Sequence, residues 1–210
     1  MSRSPKTADL SRRDVVAGAA WSVPVIALAA AAPASAASQF VCPPVPANAS
    51  WVASSTGTGS GNTQGNQGAS WAGTGATRNF TFQRDNASTA SNYVLRLTAP
   101  LSVVTGRTYQ IRYAIQTQRG CNGSTTTVNT NFDGYIAGQR VGGRSTKSGF
   151  GNQLQDPPAC NAGYTAAQTI SLNYTATSTG TVQLEMRFTA FPTTGGNNDD
   201  YRITPSIVCL

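Results

Sequence analysis

The segment Gln168–Phe191 alternates apolar and polar residues with a period of two. A short polar stretch ending in Gly180 divides its apolar positions, which are Ile170, Leu172, Tyr174, Val182, Leu184, Met186, Phe188 and Ala190. A period of two places these residues on one face of a strand, whereas helical spacing would spread them around the cylinder. We therefore predict two strands joined as a β-hairpin, with one face buried and one exposed to solvent.

Similar alternation predicts further strands along the chain. They are Gln39–Cys42, Ser50–Ala53, Arg78–Gln83, Tyr93–Thr98, Thr108–Thr117, Thr125–Asn131, a hairpin over Phe132–Val141 turning at Ala137-Gly138-Gln139, and Tyr201–Cys209. Pro205 confines the last of them to a sheet edge or a bulge, because proline cannot donate to the ladder. About eight to ten short strands without a helix predict an all-β fold, an antiparallel β-sandwich.

Two long polar stretches interrupt the strands. The first, 55–77, consists almost entirely of Gly, Ser, Thr, Asn and Gln around Trp71, and the second is 142–164. The first has too little apolar surface to offset the entropy of ordering, so we predict a mobile loop or a very polar connection. We expect any binding site in these loops, and we interpret the polar face that carries Glu185 and Arg187 as a solvent face.

Residues 1–36 have the organisation of an export signal. The pair Arg12-Arg13 precedes an apolar Ala-rich run, and Ala34-Ser35-Ala36 follows as a cleavage motif, so we predict cleavage after Ala36. The paired arginines resemble a bacterial twin-arginine signal. The alternatives are a general-secretory signal and an uncleaved membrane anchor. Residues 37–210 are then a single secreted or cell-wall-associated domain, with no membrane contact after cleavage.

Four cysteines lie beyond this leader, at Cys42, Cys121, Cys160 and Cys209. An even number in an exported chain indicates two disulfides, and free thiols are the alternative. Three pairings are possible. We favour Cys42–Cys209, because the first and last strands of a sandwich often lie side by side, and therefore Cys121–Cys160.

Charge and composition narrow the classes of function. The chain has 15 Lys and Arg, 8 Asp and Glu, and no histidine, which gives a formal net charge of +7. The arginines are scattered, so we expect no nucleic-acid partner. Without histidine, Ser-His-Asp and Cys-His arrangements and most zinc hydrolase sites are excluded. The acidic residues offer no recognisable facing pair for glycoside hydrolysis, so we expect no enzyme.

Four phrases resemble the jelly-roll carbohydrate-binding modules of the galactose-binding-like type, in the order of that family. They are Thr105–Ile111 before a central strand, Tyr135–Val141 as a hairpin, Thr169–Phe188 as paired strands, and Asn198–Ile203 as an acidic step into the last strand. The resemblance implies a jelly-roll sandwich and a non-catalytic module whose partner is a polysaccharide or cell-wall polymer. The alternative is a structural or adhesive surface protein without a small-ligand site.

The resemblance also implies a structural calcium ion, for which Asp199 and Asp200 offer carboxylate ligands. Residues 37–84 contain no acidic residue to complete such a site, so a solvated turn is the alternative, and we expect no other cofactor. Sugar binding requires exposed aromatic rings with polar neighbours. The candidates are Trp71, Tyr135, Phe150 and Tyr164, all expected in loops, whereas Trp51 is expected in the core.

Overall fold

A computed structural model describes residues 40–57, 69–84, 86, 90–119, 130–146, 163–192 and 198–210. The chain separates into two compact units, Met1–Val41 and Cys42–Leu210, and the sandwich lies in the second. The predicted signal with Arg12, Arg13 and its cleavage site, the candidate Phe150, and the predicted Cys121–Cys160 pair lie outside the described residues.

Ten strands in the described residues form two five-stranded antiparallel sheets. The strands are β1 (Val52–Thr56), β2 (Ala69–Ala72), β3 (Asn79–Phe82), β4 (Tyr93–Val103), β5 (Thr108–Gln118), β6 (Thr130–Ile136), β7 (Gln139–Ser145), β8 (Gln168–Thr175), β9 (Gly180–Ala190) and β10 (Asp200–Cys209). Sheet 1 has the order β1-β4-β9-β6-β7, and sheet 2 has the order β2-β3-β10-β5-β8. The predicted all-β sandwich is therefore confirmed. In the described part of the chain, no helix is long and apolar enough to cross a membrane.

The core lies between the inward faces of the two sheets. Phe82 of sheet 2 stacks on Phe188 of sheet 1 with ring centroids 4.8 Å apart, and Phe132 lies 5.2 Å from Phe188. All three side chains are fully buried. The alternating residues predicted to face inward on β5 are buried, and those on β9 are buried apart from the half-buried Val182, which confirms the faces derived from the sequence.

The predicted hairpin over Gln168–Phe191 is wrong in its pairing. β8 pairs with β5 in sheet 2, whereas β9 pairs with β4 and β6 in sheet 1. The connection over residues 176–179 therefore crosses between the sheets, and the paired strands implied by the resemblance are not formed. The physical reason is that alternation determines which face of a strand is buried but not which neighbour completes its hydrogen bonds.

Several predicted boundaries also differ. Residues 40–47 form no strand, and β1 begins at Val52. The predicted loop over 55–77 contains β2, and β7 continues to Ser145 inside the second predicted loop. The hairpin between β6 and β7 is confirmed, with Ala137 and Gly138 at positive φ angles of 48° and 78°.

Two prolines lie inside strands because a neighbouring strand stops before each of them. β10 is central in sheet 2, but β3 pairs only with Tyr201–Ile203, so one flank of β10 is open at Pro205. Likewise β1 pairs with β4 only as far as Thr98, and β4 continues through Pro100. Pro205 was predicted to require a sheet edge or a bulge, and the structure provides an open edge along the second half of β10 only.

The disulfide Cys42–Cys209 is formed, as predicted, with its Cα atoms 5.7 Å apart. It ties the segment before β1 to the end of β10. Two further bonds hold that segment, since Trp51 Nε1 donates to the Pro46 carbonyl at 3.2 Å and Arg78 Nη2 donates to the Val45 carbonyl at 2.6 Å.

Candidate functional site

The predicted aromatic residues that the structure describes do not share one surface. Trp71 lies on β2 at the edge of sheet 2, Tyr135 lies on β6 in sheet 1, and Tyr164 precedes β8 of sheet 2. An aromatic platform built from the loops is therefore not formed by these three residues.

Trp71 packs on the core instead of standing in a loop. Its ring centroid lies 5.4 Å from that of Trp51 and 5.3 Å from that of Phe80. Trp51 is buried, as predicted. The expected placement of Trp71 in a loop is wrong, because its strand has only four residues and lies within a polar stretch, so no periodic pattern marks it.

Tyr164 is covered by an arginine of the adjacent sheet. The guanidinium carbon of Arg202 lies 4.0 Å from its ring centroid, and the next residue, Thr165, donates its backbone N–H to the Thr117 carbonyl at 2.8 Å. Burial raises the pKa of Tyr164 to about 12, the charge of Asp200 adds to this rise, and Arg202 opposes it. The contact between Tyr164 and Arg202 and the hydrogen bond from Thr165 to Thr117 thus hold residues 164–165 against β10 and β5.

Tyr135 lies on the outer face of sheet 1, amid charged residues from four strands. Because Phe132, Gly134 and Ile136 point into the core, Asp133 and Tyr135 point outward. The strand register places Arg187 between Arg96 of β4 and Asp133 of β6, and Glu185 between Thr98 and Tyr135. We call this set the arginine face; its members are Arg96, Asp133, Tyr135, Arg140, Glu185 and Arg187.

Arg187 holds the centre of the arginine face. Its Nε and Nη2 atoms donate to Glu185 Oε1 at 2.8 and 2.7 Å, and its Nη1 donates to the Tyr135 hydroxyl at 3.2 Å. Its guanidinium carbon also lies 4.5 Å from the Tyr135 ring centroid. Arg96 approaches the same Glu185 oxygen at 4.0 Å. These contacts fix both the ring and the carboxylate in orientation.

A second ion pair lies beside the first, between Arg140 of β7 and Asp133. Arg140 Nε and Nη2 donate to Asp133 Oδ1 at 2.8 and 2.7 Å. The pair lies over Gly143, where an added Cβ would overlap Asp133 Oδ1 and Arg140 Nη2 and come within 2.7 Å of the Phe132 carbonyl oxygen. The glycine at this position therefore allows the ion pair to lie flat on the sheet.

The arginine face offers hydrogen-bonding groups at fixed positions. The described bonds of Asp133 and Glu185 use only one oxygen each, Oδ1 and Oε1. The side chains of Arg96 and Arg140 are half exposed, at 49% and 51%. Such an array suits recognition of a polar ligand, because its groups are already ordered before binding.

The predicted calcium ligands lie at the start of β10. Asp199 is buried, and Asp200 Oδ2 accepts a hydrogen bond from Gln83 Nε2 at 3.2 Å. Among the described residues, no group of three or more His, Cys, Asp or Glu side chains could hold a metal ion. The calcium site stays a prediction.

A cleft that the sequence did not indicate opens beside the second half of β10. Its volume is about 510 Å³, and it is lined by Pro44, Val45, Ala47, Gly75, Arg78, Thr204, Pro205, Ser206 and Ile207. The one sequence signal for it is Pro205, which requires an open strand flank there.

Comparison with known proteins identifies no family for the chain. The sequence matches no known family and no curated protein. Among solved structures, the chain is similar to the carbohydrate-binding module TmCBM61 in complex with β-1,4-galactotriose, at 10% identity and a TM-score of 0.38. The similarity covers 77% of this chain and 89% of that chain.

Proposed function

We propose that this protein is an exported bacterial binding module without catalytic activity, and that it binds carbohydrate through the arginine face. One observation carries the proposal: a tyrosine ring, three guanidinium groups and two carboxylates share one outer sheet face and are locked by their mutual contacts. Export rests on the composition of residues 1–36. The released protein is secreted or held at the cell wall.

The chemistry of a sugar ring matches these groups. Neighbouring hydroxyls both donate and accept, so a guanidinium and a carboxylate oxygen side by side can bind two of them at once. Arg187 lies over one face of the Tyr135 ring and orients it. In the proposed complex, the opposite face of the ring takes the C–H face of the sugar. Because these side chains are ordered in advance, little additional entropy is lost when a ligand binds.

The same geometry argues against glycoside hydrolysis. Hydrolysis needs one carboxyl group that is protonated and ready to donate to the leaving oxygen. Asp133 and Glu185 each accept two hydrogen bonds from a guanidinium group, so both are tied to arginines and neither stands apart as a recognisable proton donor. They are suited to binding hydroxyl groups.

The proposal is tested by sedimenting the purified protein with insoluble polysaccharides and bacterial cell-wall preparations. Tyr135→Ala should weaken binding about tenfold or more, since truncation removes an anchoring ring. Tyr164→Ala is a matched control, because Tyr164 is also covered by an arginine, at 4.0 Å, but lies beside the other sheet. Equal losses in both variants, or no binding to any polymer, would contradict the proposal.

A structural or adhesive role is the second candidate, and the edge strand β1 favours it. All five of its residues are exposed, Val52 at 67%, and it lies at the outer edge of sheet 1. Another chain could add a strand to such an edge. Self-association or protein capture that Val52→Lys abolishes, without polysaccharide binding, would favour this candidate over the first.

A further inference from the structure

The cleft beside β10 is a preformed cavity with one charged wall. One side is the flank of β10 over Thr204–Ile207, which β3 leaves open beyond Ile203. The opposite side is the segment 44–47, which is held in place by the disulfide at Cys42 and by the bonds of its carbonyls to Arg78 and Trp51. Its walls therefore need no rearrangement before a ligand enters.

Among the described residues that line the cleft, Arg78 is the only charged one. The residue is 9% exposed, and in the described part of the chain it forms no ion pair. Nη2 donates to the Val45 carbonyl, and the guanidinium carbon lies 6.0 Å from the Trp71 ring centroid. Desolvation by burial lowers the pKa of Arg78. A buried cation in this setting gains most from an anionic partner.

The rest of the lining is mainly apolar. Pro44, Val45, Ala47, Pro205 and Ile207 contribute apolar surface, while Thr204 and Ser206 contribute hydroxyl groups. A volume of about 510 Å³ falls within the range of about 300–1,000 Å³ found for small-molecule sites. An inorganic anion would leave most of this apolar surface uncovered, so the geometry favours a ligand with an apolar body.

We propose that this cleft binds a small organic carboxylate, with the carboxylate on the Arg78 guanidinium and an apolar body against the proline, valine and isoleucine walls. The planar guanidinium matches a carboxylate in geometry and charge. The proposal is independent of carbohydrate binding, because the cleft is lined by residues of β10 and of the segments flanking β1 and β3, and includes no member of the arginine face.

The test is a titration of the full chain with phenylacetate and with phenylacetamide, its uncharged analogue of nearly the same shape. Binding is measured by calorimetry and by tryptophan fluorescence, since Trp71 lies next to Arg78. We expect the acid to bind about tenfold more tightly than the amide, or better, because a charged hydrogen-bond pair replaces a neutral one.

Two variants locate the site. Arg78→Gln removes the charge but keeps a polar hydrogen-bonding side chain, and it should abolish the preference for the acid while leaving amide binding unchanged. Ala47→Phe, at an exposed position of the cleft wall, should block both ligands. Thermal melting of each variant verifies the fold, and Tyr135→Ala should bind the acid like the unmodified protein.

Four results would overturn the assignment. The first three are failure of the unmodified protein to bind phenylacetate, equal affinity for acid and amide, and an acid preference that survives in Arg78→Gln. The fourth is unchanged acid binding in Ala47→Phe, which would place the ligand elsewhere.

Discussion

At the scale of single residues, two glycines in neighbouring strands of sheet 1 make room for side chains on opposite faces of that sheet. Gly134 points into the core, where an added Cβ would overlap the Tyr113 ring, coming within 2.8 Å of Cδ2. Gly143 points outward beneath the Arg140–Asp133 pair. Tyr113 is fully buried, and among the described residues its hydroxyl has no hydrogen-bond partner. The missing side chain at Gly134 therefore leaves room for a ring of the opposite sheet, and the missing side chain at Gly143 leaves room for an ion pair on the surface.

Gly134→Ala should destabilise the protein by about 1–3 kcal/mol, as expected when a methyl group is forced into a packed core. Urea unfolding of the variant measures the loss. The double variant Gly134→Ala with Tyr113→Leu should lose less than the sum of the single variants, because the clash is removed. Strict additivity would show that the Tyr113 ring is not what Gly134 accommodates.

The buried tyrosines predict a loss of stability at high pH. Burial raises the pKa of Tyr113 and Tyr201 above the usual 10.0, and that of Tyr164 to about 12. The protonated phenol is thus favoured in the folded state, so the unfolded chain releases its protons first as the pH passes about 10. Below about pH 10 these tyrosines leave the free energy of unfolding constant, and from about pH 10 towards pH 12 they should make it fall.

Urea unfolding between about pH 8 and pH 11 measures this dependence. Tyr113→Phe is the matched variant, since it removes a hydroxyl with no described partner and should preserve stability at neutral pH. Above pH 10, the free energy of unfolding of the variant should also fall less steeply with pH, because about one proton fewer is released on unfolding. A variant whose pH dependence equals that of the unmodified protein would refute the burial of Tyr113.

At the scale of elements, alternation in the sequence predicted strands and faces but not partners. β5 and β9 lie where predicted, and their inward-facing apolar residues are buried apart from the half-buried Val182. β8 and β9 each have one apolar face, which either a hairpin or two facing sheets would bury equally well. The short β2 has no periodic signal. Pairing depends on non-local hydrogen bonds, and those are not encoded in a local pattern.

Nuclear Overhauser effects between strands test the corrected pairing. Tyr109 of β5 should show cross-strand contacts with Tyr174 of β8. Leu97 of β4 should show them with Met186 of β9. Backbone contacts between Thr175 and Gly180, which a hairpin would bring into register, should be absent. Their presence would restore the hairpin.

At the scale of the molecule, the arginine face is assembled from strands far apart in sequence. Its charged residues come from β4, β6, β7 and β9. Tyr135 could be singled out from the sequence, but the solvent-face interpretation of Glu185 and Arg187 missed their contact with it. Only the register, which sets Asp133 opposite Arg187 and Tyr135 opposite Glu185, brings the face together.

The disulfide joins Cys42, the first residue of the sandwich unit, to Cys209 in its last strand. Its two cysteines are 167 residues apart in sequence, so replacing both by serine should cost about 3–5 kcal/mol by releasing a long loop in the unfolded state. Urea unfolding of the double serine variant measures this. Titration of the unreduced, denatured protein should find at most two free thiols, and finding four would contradict the bridge.

The most direct test of the account is a map of backbone amide chemical shifts during titration with an oligosaccharide cut from whichever polymer the protein sediments with. The account predicts that the largest changes cluster on β4, β6 and β9 around Arg96, Tyr135 and Arg187, and that Tyr135→Ala removes them. Changes confined to sheet 2, or a map that Tyr135→Ala leaves unaltered, would contradict carbohydrate binding by the arginine face.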